Sequence, residues 1–300
     1  MQTIVDTKIP LDYDHLCCAI EKIANTFEEA TLFSIGKSTQ GRKLHCLKIG
    51  HGEPAVFYCG VHHSLEWITG LLLLKFAEDL LTCAREDQEL GGVNAQYLLN
   101  NRTLYLVPMV NPDGTEWVIN GSKNGKIPKK ISRISQNDFS SWQANARGVD
   151  LNHNYNAGWK ILRGMELLAG ITGPAATRYG GAHAESEKET KAICALCRKV
   201  NFKQAIAFHS QGEVIYWDYG EKTPENAKMM AGILASVSGY ALDTPVELAS
   251  HGGFKDWFIE SFGRPAFTVE VGQGKNPLDI EQFDAIYTKL LGLLMLGCVI

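Results

Sequence analysis

Ala55-Val56-Phe57-Tyr58-Cys59-Gly60-Val61-His62-His63-Ser64-Leu65-Glu66-Trp67 is the stretch that decides the fold. Its first six residues form an unbroken apolar run, the pattern of a strand covered on both faces. Residues 67–77 are apolar on nearly every side and predict a buried helix. An imidazole and a carboxylate therefore lie together at a strand end, where an α/β sheet carries its chemistry. A hydrolytic zinc site takes three protein donors of nitrogen and oxygen type and leaves one position for water. Glu66 and either His62 or His63 supply two such donors, and periodicity does not decide between the histidines.

The flanking segments repeat the alternation of strand and helix. A helix is predicted over residues 13–27, with Leu16, Ile20, Ile23 and Phe27 on one face. Strands are predicted at 31–35, 43–49, 103–110, 205–209, 214–219 and 265–271, with Gly36, Gly41, Gly50 and Gly52 as turns. Asn111-Pro112-Asp113-Gly114 predicts a turn. Ser186-x-x-Glu189 reads as a capping box, Thr223-Pro224 as the start of another helix, and a last helix begins near residue 280. The expected fold is a three-layer α/β sandwich with a mixed, largely parallel central sheet. One catalytic domain is expected over residues 1–300, with an N-terminal helix in residues 1–30 packed on it.

Composition narrows the function classes. With 45% hydrophobic residues in 300, the chain can bury one large core. A net charge of -4 gives no basic field for nucleic acid. No secretory signal is read, and the apolar run over residues 290–300 is too short to span a bilayer. A soluble, cytoplasmic protein is expected, with no membrane and no nucleic-acid partner. Without a signal peptide, the eight cysteines read as free thiols, and Cys194-x-x-Cys197 as core packing on a helical stripe. The polar segment 115–145, with Lys123, Lys126, Lys129, Lys130 and Arg133, reads as a solvated loop rather than a specific anion site, of a length that could wall a substrate groove.

Two distant residues complete a candidate site. His209 ends the apolar run Ala205-Ile206-Ala207-Phe208 and is a third candidate donor. Glu270 sits inside Phe267-Thr268-Val269-Glu270-Val271, where a carboxylate is costly to bury unless it is paired or used. It is either a structural ion-pair partner or a proton acceptor. Asp150-Leu151-Asn152-His153-Asn154-Tyr155 offers Asx-type turns or side chains for a substrate carboxylate.

Taken in order, these motifs resemble the zinc metallocarboxypeptidase family. Its pattern is a His-x-x-Glu followed by Trp, met by His63-Ser64-Leu65-Glu66-Trp67. The resemblance continues through Asn111-Pro112-Asp113-Gly114, Gly148-Val149-Asp150-Leu151-Asn152, Phe208-His209-Ser210 and Phe267-Thr268-Val269-Glu270. It implies that His63, Glu66 and His209 bind Zn2+ and that Glu270 is the general base toward the water zinc holds. Asp150 or a backbone carbonyl would orient an imidazole. Digestive carboxypeptidases carry Asn-Arg where this chain has Asn152-His153, and their mobile tyrosine aligns with His251. Related bacterial enzymes carry a basic residue at Gln143, which leaves Arg147 as the candidate that polarises the carbonyl. Asn152, His153 and His251 are the substrate-binding candidates.

Ala144-Asn145-Ala146-Arg147-Gly148-Val149, Arg178-Tyr179-Gly180-Gly181, His209-Ser210-Gln211-Gly212-Glu213 and Gly252-Gly253-Phe254-Lys255-Asp256-Trp257 resemble bacterial γ-D-glutamyl-meso-diaminopimelate peptidases. The resemblance implies hydrolysis of a stem peptide or muropeptide; some members carry wall-binding repeats, and with no room for them before the first strand an intracellular role is expected. The alternatives are an ordinary C-terminal metallocarboxypeptidase and a zinc amidohydrolase of N-acyl amino acids.

Overall fold

The computed structural model describes residues 3–121, 123 and 127–300. Chain order gives β1 (Ala30–Lys37), β2 (Lys43–Ile49), β3 (Ala55–Gly60), a short hairpin of β4 (Glu89–Leu90) and β5 (Val93–Asn94), and β6 (Thr103–Val107). It continues with β7 (Gln204–His209), β8 (Val214–Tyr216), β9 (Ala241–Asp243) and β10 (Ala266–Glu270). All but the hairpin form one eight-stranded sheet in the order β1-β2-β6-β3-β7-β10-β8-β9. The centre, β6-β3-β7-β10, is parallel, and the edges turn antiparallel at β2-β6 and β10-β8. The α/β reading of a mixed, largely parallel sheet holds.

The apolar runs become central strands because both faces are covered. Val56 and Tyr58 of β3, with Ile206 and Phe208 of β7, enter a core beneath α1 (Tyr13–Thr26), α2 (Trp67–Arg85), α3 (Ala95–Asn101), α8 (Ala227–Ser238) and α10 (Phe283–Val299). Phe57, Cys59, Ala205 and Ala207 face the opposite core, under α7 (Lys188–Lys199) and α9 (Phe254–Phe262). This period-two division is what a strand imposes on its side chains. Cys194 and Cys197 pack in the second core, and all eight cysteines are free.

Several sequence expectations are corrected. Asn111-Pro112-Asp113-Gly114 opens α4 (Pro112–Asn120), with Asn111 Oδ1 accepting the Gly114 N–H at 3.1 Å and proline in the first turn. Segment 115–145 is more than a solvated loop. It contains the end of α4, all of α5 (Lys129–Ser135) and a small core of Trp117, Ile131, Phe139 and Trp142; Lys126 lies outside the described residues. The capping box does not form, because Ser186 Oγ donates to Glu187 and Glu189 accepts the Thr39 N–H across the chain. Ile280–Val299 is long and apolar enough to cross a bilayer by length and composition, longer than the 290–300 run suggests. Its Leu290, Leu293, Leu294 and Met295 are buried in the main core. Helix α6 (Trp159–Leu168) completes the set.

Candidate active site

Register places the chemistry. In the pairing of β3 with β7, Gly60 stands opposite Phe208; in that of β10 with β7, Glu270 stands opposite His209. The ends of three adjacent parallel strands thus carry His63, His209 and Glu270. The chain leaves β3 through Val61 at φ 54°, a left-handed conformation that a β-branched residue adopts only under constraint. Thr69 Oγ1 accepts the Val61 N–H at 3.0 Å, and the Val61 carbonyl accepts from Asn111 at 2.9 Å. These bonds hold the bend that turns His62 and His63 apart.

His62 goes inward. It is fully buried, its Nε2 is 2.8 Å from the Tyr155 hydroxyl, and its ring stacks on His209 with centroids 5.4 Å apart. His63 goes toward the cleft. Its Nδ1 lies 2.9 Å from Glu66 Oε1 and 3.3 Å from His209 Nδ1, and His209 Nδ1 lies 2.9 Å from Glu66 Oε2. Among the described residues these three offer donor atoms that all lie within 4.8 Å of one another. Two nitrogens each about 2.0 Å from one tetrahedral ion stand roughly 3.3 Å apart, so the donor set fits zinc in kind and spacing.

Electrostatics agrees with that fit. Burial pushes the His63 imidazole down, but the carboxylates of Glu66 and Asp150 overcome it and hold the group well above its usual range. Burial raises Glu66, and His63 and His209 reverse the shift to a net lowering. Asp150 is held well below the carboxylate range against its burial, by His63 and His153. Without a cation the cluster therefore keeps a proton on nitrogen, and a metal must displace it. Burial raises Glu270 to about 7, opposed by His209 and reinforced by Glu66.

Asp150 is the hub of the support. Its Oδ1 is 3.1 Å from His63 Nε2, and its Oδ2 accepts the Arg178 N–H at 2.9 Å. A carboxylate on the far nitrogen fixes the tautomer that leaves Nδ1 free as a donor. Asp150→Asn is expected to weaken zinc binding by about 10–100-fold. Competition against a chelating dye reads this directly, and unchanged affinity removes Asp150 from the site.

A cleft of about 1170 Å³ opens over the cluster, lined by His63, Glu66, Gln143, Arg178, Ser210 and Glu270 among others. A side pocket of about 120 Å³ also begins at His63 and Glu270 and reaches Asn152, His153, Lys255 and Asp256. A third, of about 180 Å³, runs past Asp150 and Arg178. Gln143 reaches the cleft because Ser64 and Asn111 anchor its strand of chain. Ser64 donates to the carbonyls of Trp142 and Gln143, and Asn111 Nδ2 to those of His62, Gln143 and Ala144. The approach is close: a Cβ on Gly114 would sit 2.5 Å from the Ala144 carbonyl and 2.8 Å from Ser64 Cβ.

The other sequence candidates divide. Asn152 and His153 line the side pocket; Asn152 Oδ1 accepts the Phe254 N–H at 2.9 Å, and His153 Nδ1 lies 3.0 Å from the Arg178 carbonyl. Arg147 is not in the cleft. Gly148 turns the chain at φ 71°, and the Arg147 guanidinium lies 3.6 Å from Glu187 in a separate pocket with Pro174 and Tyr179. His251 is likewise held elsewhere, its Nδ1 3.0 Å from the Tyr219 hydroxyl. Arg178, Lys255 and Asp256 line these pockets and were not among the sequence candidates. The last two had a signal, a charge pair set among Phe254, Trp257 and Phe258 that burial would make expensive. Arg178 had none that separated it from Arg147.

The zinc carboxypeptidase family profile matches residues 18–290. The chain belongs to the zinc carboxypeptidase family. The γ-D-glutamyl-L-diamino acid endopeptidase 1 of Lysinibacillus sphaericus is 37% identical over 290 residues, covering 95% of this chain and 72% of that protein. In structure the chain is similar to bovine thrombin-activatable fibrinolysis inhibitor, at TM-score 0.74 and 20% identity over 96% of both chains. It is also similar to murein-tripeptide amidase of Escherichia coli O157, at TM-score 0.54 and 20% identity over 88% of this chain and 91% of that one. Membership makes the protein a zinc metallopeptidase, and the His63-Glu66-His209 cluster is a donor set that could hold a metal ion.

Proposed function

We propose that this zinc carboxypeptidase family member hydrolyses the γ-D-glutamyl-meso-diaminopimelate bond of peptidoglycan stem peptides. His63, Glu66 and His209 would hold the zinc. When bound, zinc supplies Lewis acidity that polarises an amide carbonyl and makes water a stronger acid. Glu270, across from His209, takes the proton of the attacking water at its carboxylate and returns it to the leaving amine. Asp150 keeps His63 in its donor tautomer.

The observation that carries the substrate reading is the charge of the side pocket beyond Glu270. Lys255 and Asp256 are both 3% exposed and pair at 2.5 Å at its wall. Diaminopimelate ends in an ammonium and a carboxylate on one carbon, and a buried pair of both signs can answer both. An apolar C-terminal side chain would bring no polar group to that charged, desolvated wall. The relative's diamino-acid substrate points the same way. Action on muropeptide fragments in the reducing cytoplasm fits eight free thiols.

The test is the zinc-loaded protein with L-Ala-γ-D-Glu-meso-diaminopimelate, an α-linked peptide with an ordinary C-terminal residue, and a panel of N-acyl amino acids. Diaminopimelate release at about a hundredfold higher kcat/KM than either control is the expected result. A preference for the α-linked peptide makes it an ordinary carboxypeptidase, and a preference for the N-acyl panel an amidohydrolase.

A further inference from the structure

Arg178 is an exposed cation on the lining of the cleft that also holds His63 and Glu66. It lines both the main cleft and the third pocket, each of which also includes His63. Its guanidinium has no hydrogen-bond or ion-pair partner among the described residues, whereas Lys255 is paired with Asp256. Glu247 lines the third pocket without pairing to it, and Lys275 lines only the main cleft, on the segment with Gly274 and Asn276.

Its backbone is the second observation. Arg178 has φ 66°, a conformation that disfavours any side chain but glycine's. Two buried groups enforce it: Asp150 Oδ2 accepts its N–H at 2.9 Å, and its carbonyl lies 3.0 Å from His153 Nδ1. The same Asp150 holds His63 at 3.1 Å, so one carboxylate ties the Arg178 backbone to the donor imidazole. A strained, over-determined arginine in a cleft is an outlier that asks for a ligand.

We propose that Arg178 reads the free α-carboxylate of the glutamyl residue on the acyl side of the scissile bond. This rests on the γ-linked substrate reading. In a γ-linkage the glutamyl α-carboxylate is pendant, and it lies four bonds, roughly 5 Å, from the scissile carbonyl carbon. In an α-linkage the carboxyl group of that carbon is itself the scissile group, so no free α-carboxylate remains. A guanidinium grips a carboxylate through two parallel hydrogen bonds, and a carboxamide can satisfy only part of that geometry. An arginine serving the scissile carbonyl itself would act alike on both.

The experiment compares L-Ala-γ-D-Glu-meso-diaminopimelate with its γ-D-isoglutamine analogue, in which that carboxylate is a carboxamide. Wild-type zinc-loaded protein is expected to favour the carboxylate peptide in kcat/KM by roughly 10–100-fold. Arg178→Gln should remove that ratio, through the carboxylate peptide, at unchanged zinc content, and Arg178→Lys should restore part of it. Equal losses on both peptides, a ratio that persists in Arg178→Gln, or a ratio lost instead in Lys275→Ala overturns the proposal. Failure of the wild type to cut either γ-linked peptide while it cuts α-linked ones overturns the substrate reading, and this inference with it.

Discussion

Glu270→Gln is expected to bind zinc as the wild type does and to lose turnover by about 10²–10⁴-fold. Glu270 faces the cleft from the end of β10, opposite His209, but its carboxylate is outside the group of three donors. The amide keeps the shape and cannot accept a proton from water. Burial raises this carboxyl to about 7, with Glu66 adding to the rise and His209 and His63 opposing it. A bound cation adds a further pull toward the charged form, so in the loaded enzyme the group ionises below that value. The base is the carboxylate, so wild-type kcat/KM should climb as pH rises through that ionisation and fall as it becomes protonated. The variant should lose this acid limb along with its rate. Metal analysis with a kcat/KM-pH profile checks both halves, and loss of zinc in Glu270→Gln would make the residue a ligand instead.

How much of this was readable from residues alone depends on what each signal encodes. Runs such as 43–49 and 55–60 are covered on both faces, and hydrophobicity by itself marks them. The short β9 is exposed at all three residues and carries no such mark. Glu270 stood out because a charge in an apolar strand needs a reason. The tie between His62 and His63 lay beyond periodicity, since it is broken by the left-handed bend at Val61 and by Tyr155, far along the chain. The placement of Arg147 has the same kind of reason. It is close in sequence to Asp150, yet Gly148 turns it toward Glu187, while Arg178 arrives 28 residues after Asp150 through the hydrogen bond to that carboxylate. The fold follows from local pattern. The site depends on who meets whom across the sheet.

His209→Ala is expected to lower zinc affinity by about 10²–10⁴-fold, roughly a quarter of the ~10–16 kcal/mol that holds a four-ligand site. His63 and Glu66 remain, three residues apart on one turn. They cannot close a site without the donor from β7. His62 is the nearest replacement, but its Nε2 is committed to the Tyr155 hydroxyl at 2.8 Å and its ring lies behind that of His209. Stability separates loss of metal from loss of fold. Removing the ring leaves a cavity beneath the cleft, but it also removes a buried Nε2 that has no partner among the described residues, so the two effects oppose each other in the metal-free protein. Zinc at a thousandfold excess over its Kd stabilises a native site by about 4 kcal/mol, seen as a rise in Tm. The variant should melt near the metal-free wild type and show little of that rise. A His209→Ala protein that still binds zinc tightly and still gains the Tm shift would mean that the ion is held by a different set of donors.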